Sequence, residues 1–182
     1  MDEPALVGHA QAGDAAAFSA LFEAYHGQIT GYLYRLVGDR EVAEDLAQDT
    51  FIKAYRALGR TNDGLNFRAW LYRIATNTAT SYFRRRKIIQ WLPFGPATPE
   101  PTGDARLAEA LGERELIEAV LKRLNDNYVT VLLLRHQQGM SLEETATVLG
   151  TSVNAAKVRL FRARRAFVEA YRALESGQEA RA

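Results

Sequence analysis

Apolar residues recur at steps of three and four along most of this chain, and the stretches that keep that rhythm are predicted to be helices. From Asp14 to Leu36, the residues Phe18, Leu21, Phe22, Tyr25, Ile29, Tyr32, Leu33 and Leu36 fall on one stripe. That pattern predicts a core-facing helix closed by Gly38. Asp39 can cap the next helix, DREVAEDLAQDTFIKAYRAL. In it Val42 and Leu46 point one way and Phe51, Ile52 and Tyr55 largely another, so this helix is expected to be contacted on more than one side. The turn formers of GRTNDGLN then predict a loop. A third helix follows, FRAWLYRIATNTATSYFRRRK. Its inner stripe is Phe67, Trp70, Leu71, Ile74, Thr78 and Tyr82, and its outer ridge is Arg73, Thr76, Asn77, Thr80, Arg84 and Lys87.

The rhythm stops in WLPFGPATPEP, which holds four of the five prolines. Proline removes backbone donors and fixes φ, so this segment reads as a linker. Its apolar Ile88, Ile89, Trp91, Leu92 and Phe94 are unusual for a solvated tether and are expected to dock on this protein or on a partner. Helical periodicity resumes near Leu107, with Leu116, Val120, Leu121 and Leu124 on one side, and YVTVLLLRHQQ reads as a buried helix. The expected fold is all-α: two small helical domains joined by the proline-rich linker. The boundaries are 1–90, a linker over 91–111, and a C-terminal domain over 112–182 that contains a helix-turn-helix.

That motif is the most informative stretch. Ser141 and Glu144 have the spacing of a capping box, Leu142, Ala146 and Leu149 give a short apolar face, and Gly150 can end the helix at positive φ. Thr151 or Ser152 then caps a longer helix whose stripe is Val153, Ala156, Leu160, Ala163 and Phe167. The opposite side carries Asn154, Val158, Phe161, Arg162 and Arg165, flanked by Ala155, Lys157 and Arg159. A short helix, a tight turn and a longer helix with a cationic outer face suit a DNA major groove, where arginine and lysine reach phosphates and guanine edges.

Composition narrows the possibilities. The chain has 182 residues, 47% of them apolar, and a formal charge of only +1. The distribution of charge matters more than its sum: acidic residues dominate 1–60 and 91–126, whereas 61–90 and 127–182 are basic. Two basic blocks suggest two contacts with a polyanion and leave acidic surfaces for something else. With no cysteine there is no disulfide framework, thiolate metal site or cysteine nucleophile. No apolar run is long enough to span a membrane, and the N-terminus lacks a basic-then-apolar signal, so the expected location is cytoplasmic. The three histidines, His9, His26 and His136, lie on separate elements, and no phosphate loop or nucleophile elbow occurs. Neither a catalytic site, a metal, a cofactor nor a small-molecule substrate is therefore expected.

In the second helix Glu41, Glu44, Asp45 and Asp49, with Gln48 among them, make the first half acidic. The helix dipole accounts for charge in the first turn only, so Asp45 and Asp49 point to a basic partner. The cations Arg84, Arg85, Arg86 and Lys87 exceed what a helix C-terminus needs. Beside aromatic residues and a loop, they suit unpaired bases, which stack on rings while cations track phosphates. A free-standing dimeric helix-turn-helix repressor would explain the recognition helix but would not need the acidic helix, the loop or the second basic block. A protein-binding adaptor leaves both basic blocks unexplained.

Over residues 12 to 170 the chain resembles the extracytoplasmic-function (ECF) group of the bacterial sigma-70 superfamily, two-domain factors that give RNA polymerase its promoter specificity. AEDLAQDTFIKAY looks like the family's polymerase-binding helix, FRAWLYRIATNTATSYFRRR like its minus-ten recognition helix, and SLEETATVLGTSVNAAKVRLFRARR like its minus-thirty-five helix-turn-helix. The family often carries proline near Asn125 and isoleucine where Thr145 stands. The resemblance implies that Asp39, Glu44, Asp45, Gln48 and Asp49 dock on core polymerase. It implies that Asn77, with the loop from Arg60 through Thr61 and Asn62 to Asn66, captures a base flipped from the non-template strand, with Arg73 and Arg84 to Lys87 along that strand. It places Ser152, Asn154, Lys157, Val158, Arg159, Phe161, Arg162 and Arg165 at the upstream promoter element, threads the linker towards the polymerase's RNA path, and implies an anti-sigma protein as a further partner.

Overall fold

A computed structural model of the chain describes residues 2–90 and 112–179, with side chains placed at 2–86, 112 and 115–176. The linker and the side chains of Lys87, Ile88 and Ile89 lie outside the described residues, as does the predicted docking of Trp91, Leu92 and Phe94. All regular structure described is helical: α1 (Glu3–Gln11), α2 (Ala15–Val37), α3 (Arg40–Leu58), α4 (Phe67–Gln90), α5 (Glu113–Lys122), α6 (Asp126–Leu132), a π-turn over Leu133–Gln137, α7 (Leu142–Leu149) and α8 (Val153–Glu179). Among the described residues no helix is long and apolar enough to cross a membrane.

The caps fall where short polar residues allow them. Asp14 accepts from Ala16 and Ala17 N–H at 2.8 and 3.2 Å, Asp39 from Val42 N–H at 3.1 Å and Asn66 from Ala69 N–H at 3.0 Å. Asn125 caps α6 by accepting from Tyr128 N–H at 3.0 Å. Each cap satisfies a first-turn donor that the helix itself cannot.

The predicted stripe of α2 is buried at Leu21, Tyr25, Ile29, Tyr32 and Leu33. Phe22 departs from it: the ring is 38% exposed and packs edge-on to Phe51 at a centroid distance of 4.8 Å. Helix α3 is contacted by two neighbours, α2 and α4, but its apolar residues do not divide between two faces as predicted. Ala43, Leu46, Ala47, Thr50, Phe51, Ala54 and Leu58 form one buried stripe, while Ile52 and Tyr55 are exposed. Alanines carry much of that stripe, and their short side chains let α3 lie close against α2 and α4. In α4, Thr76 belongs to the core and not to the outer ridge. Its hydroxyl bonds Tyr32 Oη and the Tyr72 carbonyl, each at 2.8 Å, which satisfies a polar group that burial would otherwise penalise. In α8, Val153 is 39% exposed and leaves the predicted stripe, whereas Ala156, Leu160 and Ala163 are buried.

The C-terminal helices pack directly on the N-terminal ones, chiefly α7 on α4. Val129, Leu133, Leu134, Met140 and Val148 share one apolar cluster with α2, α3 and α4. Polar contacts reinforce this seam: Arg68 donates to the Gln138 carbonyl, Tyr72 Oη donates to Gln138 Oε1, and Asn66 Nδ2 donates to Glu144 Oε1 at 3.1 Å. Arg68 also lies over the Tyr72 ring. Burial pushes the Tyr72 phenol up to about 12, so its proton is held even in alkaline solution.

Candidate nucleic-acid interface

The helix-turn-helix forms as its sequence predicts. Ser141 Oγ accepts from Glu144 N–H at 3.0 Å, and Glu144 Oε2 accepts from Ser141 N–H at 2.8 Å. Gly150 closes α7 at φ 61°, and Ser152, not Thr151, caps α8 by accepting from Ala155 N–H at 3.2 Å. Thr145 is fully buried and donates to the Ser141 carbonyl at 2.7 Å, so a hydroxyl occupies the position where the family often has isoleucine. With Ala156, Leu160 and Ala163 turned inward, α8 presents Asn154, Lys157, Val158, Phe161, Arg162 and Arg165 to solvent. Val158 is 49% and Phe161 62% exposed, so large apolar groups stand beside arginines on a face that no other described element covers. That combination is fitted to base edges and thymine methyls. Arg159 is half-buried, and Arg165 also lies 3.6 Å from Glu169. His136, held below its ordinary pKa by burial and by Arg164 and Arg135, accepts from Arg164 Nε at 3.3 Å.

A cleft of about 610 Å³ runs beside α8, lined by Asn154, Val158, Arg159 and Arg162 and closed on its far side by Asn125, Asn127 and Tyr128. A second, of about 420 Å³, shares Asn125 and Asn127 and is lined by Thr80, Phe83 and Arg84 of α4. The turn at 125–127 thus joins the two basic blocks, a role for Asn125 and Asn127 that sequence alone did not suggest.

Along α4, Arg73, Asn77, Thr80 and Arg84 are exposed and recur at steps of three and four, giving one polar ridge that continues into exposed Arg85 and Arg86. Its two ends differ. A Cβ on Gly150 would stand 3.9 Å from Arg73 Nη2, so this guanidinium lies over the helix-turn-helix turn. The Arg84 end opens on the second cleft. In the loop, Arg60 and Asn62 are exposed and Thr61 is half-buried. Asn66 is committed to two tasks, capping α4 and bonding Glu144. It precedes Asn77 by eleven residues, or about 16 Å of helical rise, so these two groups are not brought side by side.

On α3, Asp45, Gln48, Asp49 and Ile52 lie one turn apart on an exposed face, with Tyr55 beyond them. Asp39 is occupied as the N-cap, and Glu44 turns aside to Arg40 at 3.1 Å in an exposed pair of little energetic weight.

Glu144 links the site to the domain seam, and its carboxyl is held below the ordinary value of 4.5, first by the Ser141 N–H and then by the Asn66 amide. A depressed carboxylate contributes stability above its unfolded pKa and loses it as pH falls through the folded value. Stability is therefore expected to decline below pH 4.5 partly through this group. Urea midpoints between neutral pH and about pH 3 should flatten in Glu144→Gln, and an unchanged acid limb would show that the group contributes nothing.

Models of sigma-70 region 2 and sigma-70 region 4 match residues 21–88 and 114–167. The chain is 37% identical to the RNA polymerase sigma-H factor of Pseudomonas aeruginosa, with 93% of each chain covered. It is 33% identical to the ECF RNA polymerase sigma factor SigW of Bacillus subtilis, covering 85% of this chain and 88% of that one. Among solved structures, CnrH in complex with the cytosolic domain of CnrY superimposes with a TM-score of 0.68 at 30% identity, over 99% of both chains. An acidic exposed helix, a polar ridge and a helix-turn-helix in this order are thus those of a known lineage: the chain belongs to the ECF RNA polymerase sigma factors.

Proposed function

We propose that this chain joins core RNA polymerase through the exposed face of α3 and directs promoter recognition, melting and initiation through α4 and α8. The observation that carries the DNA reading is α8 itself, a helix capped by Ser152 whose outward face exposes Phe161 and Val158 among cations. In this reading Asp45, Gln48 and Asp49, flanked by Asp39 and Glu44, meet the polymerase. The loop from Arg60 to Asn66 receives an unpaired base, Asn77 reads the same strand further along α4, Arg73 and Arg84 to Lys87 follow the phosphates, and the α8 residues from Ser152 to Arg165 read the upstream element. The functional units are residues 1–90 and 112–182, with 91–111 between them. RNA synthesis is left to the polymerase, and the site of action is the cytoplasm, where promoter and polymerase meet.

CnrH was solved with a protein partner, and we extend a regulatory protein partner, of the anti-sigma kind, to this chain. A free-standing dimeric repressor would leave the acidic face of α3 and the ridge of α4 without a use.

Co-purification with core polymerase, followed by run-off transcription from a genomic fragment library, tests the whole reading. Stable binding and discrete new transcripts are expected. Failure to bind core, with tight binding of the chain alone to a palindromic site, would overturn it in favour of the repressor. Within that assay Arg162→Ala is expected to weaken upstream contact by about 1–3 kcal/mol if it reads a base bidentately. Footprint protection identical to wild type over the upstream element would remove Arg162 from the site.

A further inference from the structure

Helix α1 precedes the part of the chain matched by the sigma-70 region 2 model, which begins at residue 21. It is nonetheless firmly docked. Val7 and Ala10 are buried, and Tyr25 Oη donates to a Glu3 carboxylate oxygen. Its last residue reaches the loop between α3 and α4: Gln11 Nε2 donates to Thr61 Oγ1 at 2.8 Å and to the Asn62 carbonyl at 3.2 Å. Thr61 Oγ1 passes the bond on, donating to the Leu58 carbonyl at 2.6 Å. The backbones also meet closely here, since a Cβ on Gly59 would lie 3.3 Å from the Gln11 carbonyl oxygen. At the other end of the loop Asn66 caps α4. Residues 59–62 are thus held by α1 and residue 66 by α4, leaving only Asp63, Gly64 and Leu65 between the two anchors.

We propose that Gln11 is a positioning residue for base capture: its amide fixes the register of the loop that receives the flipped base. This rests on the sigma-factor reading above. Fixing a residue's backbone costs conformational entropy, and drawing a base out of the stack costs stacking energy besides. A loop already ordered in the free protein spares base binding the first of these terms. A side-chain amide serves at position 11 because its one nitrogen supplies a proton to each of the two loop acceptors. Glutamate would set a carboxylate against the Asn62 carbonyl, and leucine keeps the bulk without either donor.

The test uses full-length chain reconstituted with core polymerase, comparing wild type, Gln11→Leu, Gln11→Glu and, as a control for α1 docking, Glu3→Gln. Readouts are the rate of open-complex formation, base preference across a promoter library randomised in the minus-ten element, and amide hydrogen exchange of residues 60–66 in the chain alone. Gln11→Leu is expected to slow opening roughly tenfold, as loss of two ordinary hydrogen bonds predicts, and to flatten preference at the captured base. Core affinity and upstream preference should stay unchanged, exchange in the loop should rise, and Glu3→Gln should behave as wild type. Unchanged opening and base preference in Gln11→Leu would overturn the proposal, as would an equal loss in Glu3→Gln, which would reduce Gln11 to an anchor of α1. Should wild type direct no transcription at all, the sigma-factor reading falls. Loop exchange still decides whether Gln11 orders the loop.

Discussion

Replacing Asp45 and Asp49 together by lysine is expected to abolish stable association with core RNA polymerase, weakening it by about 100-fold or more. Both side chains are exposed on the same face of α3, adjacent to Gln48 and Ile52. Placing like charges against a basic partner costs several kcal/mol, and each 1.4 kcal/mol is about a factor of ten. The fold should be untouched, because exposed substitutions of this kind shift stability by about 0.5 kcal/mol or less. Surface plasmon resonance against immobilised core, with a thermal melt of the variant alone, separates the two effects. Undiminished binding would move the contact off the acids and on to the exposed Ile52 and Tyr55.

Asn77→Ala is expected to divide the pathway at another step. Asn77 lies in the middle of the exposed ridge of α4, with exposed Arg73 and Arg84 on either side. Losing an amide that reads a base edge removes roughly 1–3 kcal/mol. Open-complex formation should therefore fall about 10- to 100-fold while the initial complex forms nearly normally. Permanganate reactivity of melted thymines, read beside gel-shift affinity at low temperature, measures both. Parallel losses in the two would make Asn77 a general DNA contact.

How much of this was legible in the sequence differed from helix to helix. The stripe of α2 and the capping box of α7 were plain, because large apolar residues at helical spacing and a Ser/Glu pair admit few other structures. The face of α3 is masked in the sequence because its largest apolar groups do not mark the buried side. Burial there runs through Ala43, Ala47 and Ala54, and the large Ile52 and Tyr55 stay exposed. Thr76 looked like a surface residue until Tyr32 supplied a hydroxyl to meet it. Helix α1 gave almost no signal, since Val7 and Ala10 are its only buried residues and make no stripe. Nor does any local pattern reveal that Gln138 and Glu144 will bond α4. That choice belongs to the matching of two surfaces far apart in sequence. For the sites, residue types on α8 were readable one by one, whereas the cleft that Asn125 and Asn127 share with them depends on tertiary placement.

The apolar cluster that runs from α2 through α4 into Met140 and Val148 has an energetic consequence for any partner that needs the two halves apart. Separation would wet that surface, and exposing apolar area raises heat capacity. Apparent affinity for such a partner is then the intrinsic affinity scaled by the fraction of molecules already parted. Because hydrophobic association weakens on cooling, that fraction grows as temperature falls. For a partner of that kind, a seam whose core is apolar makes binding a function of temperature as well as of concentration.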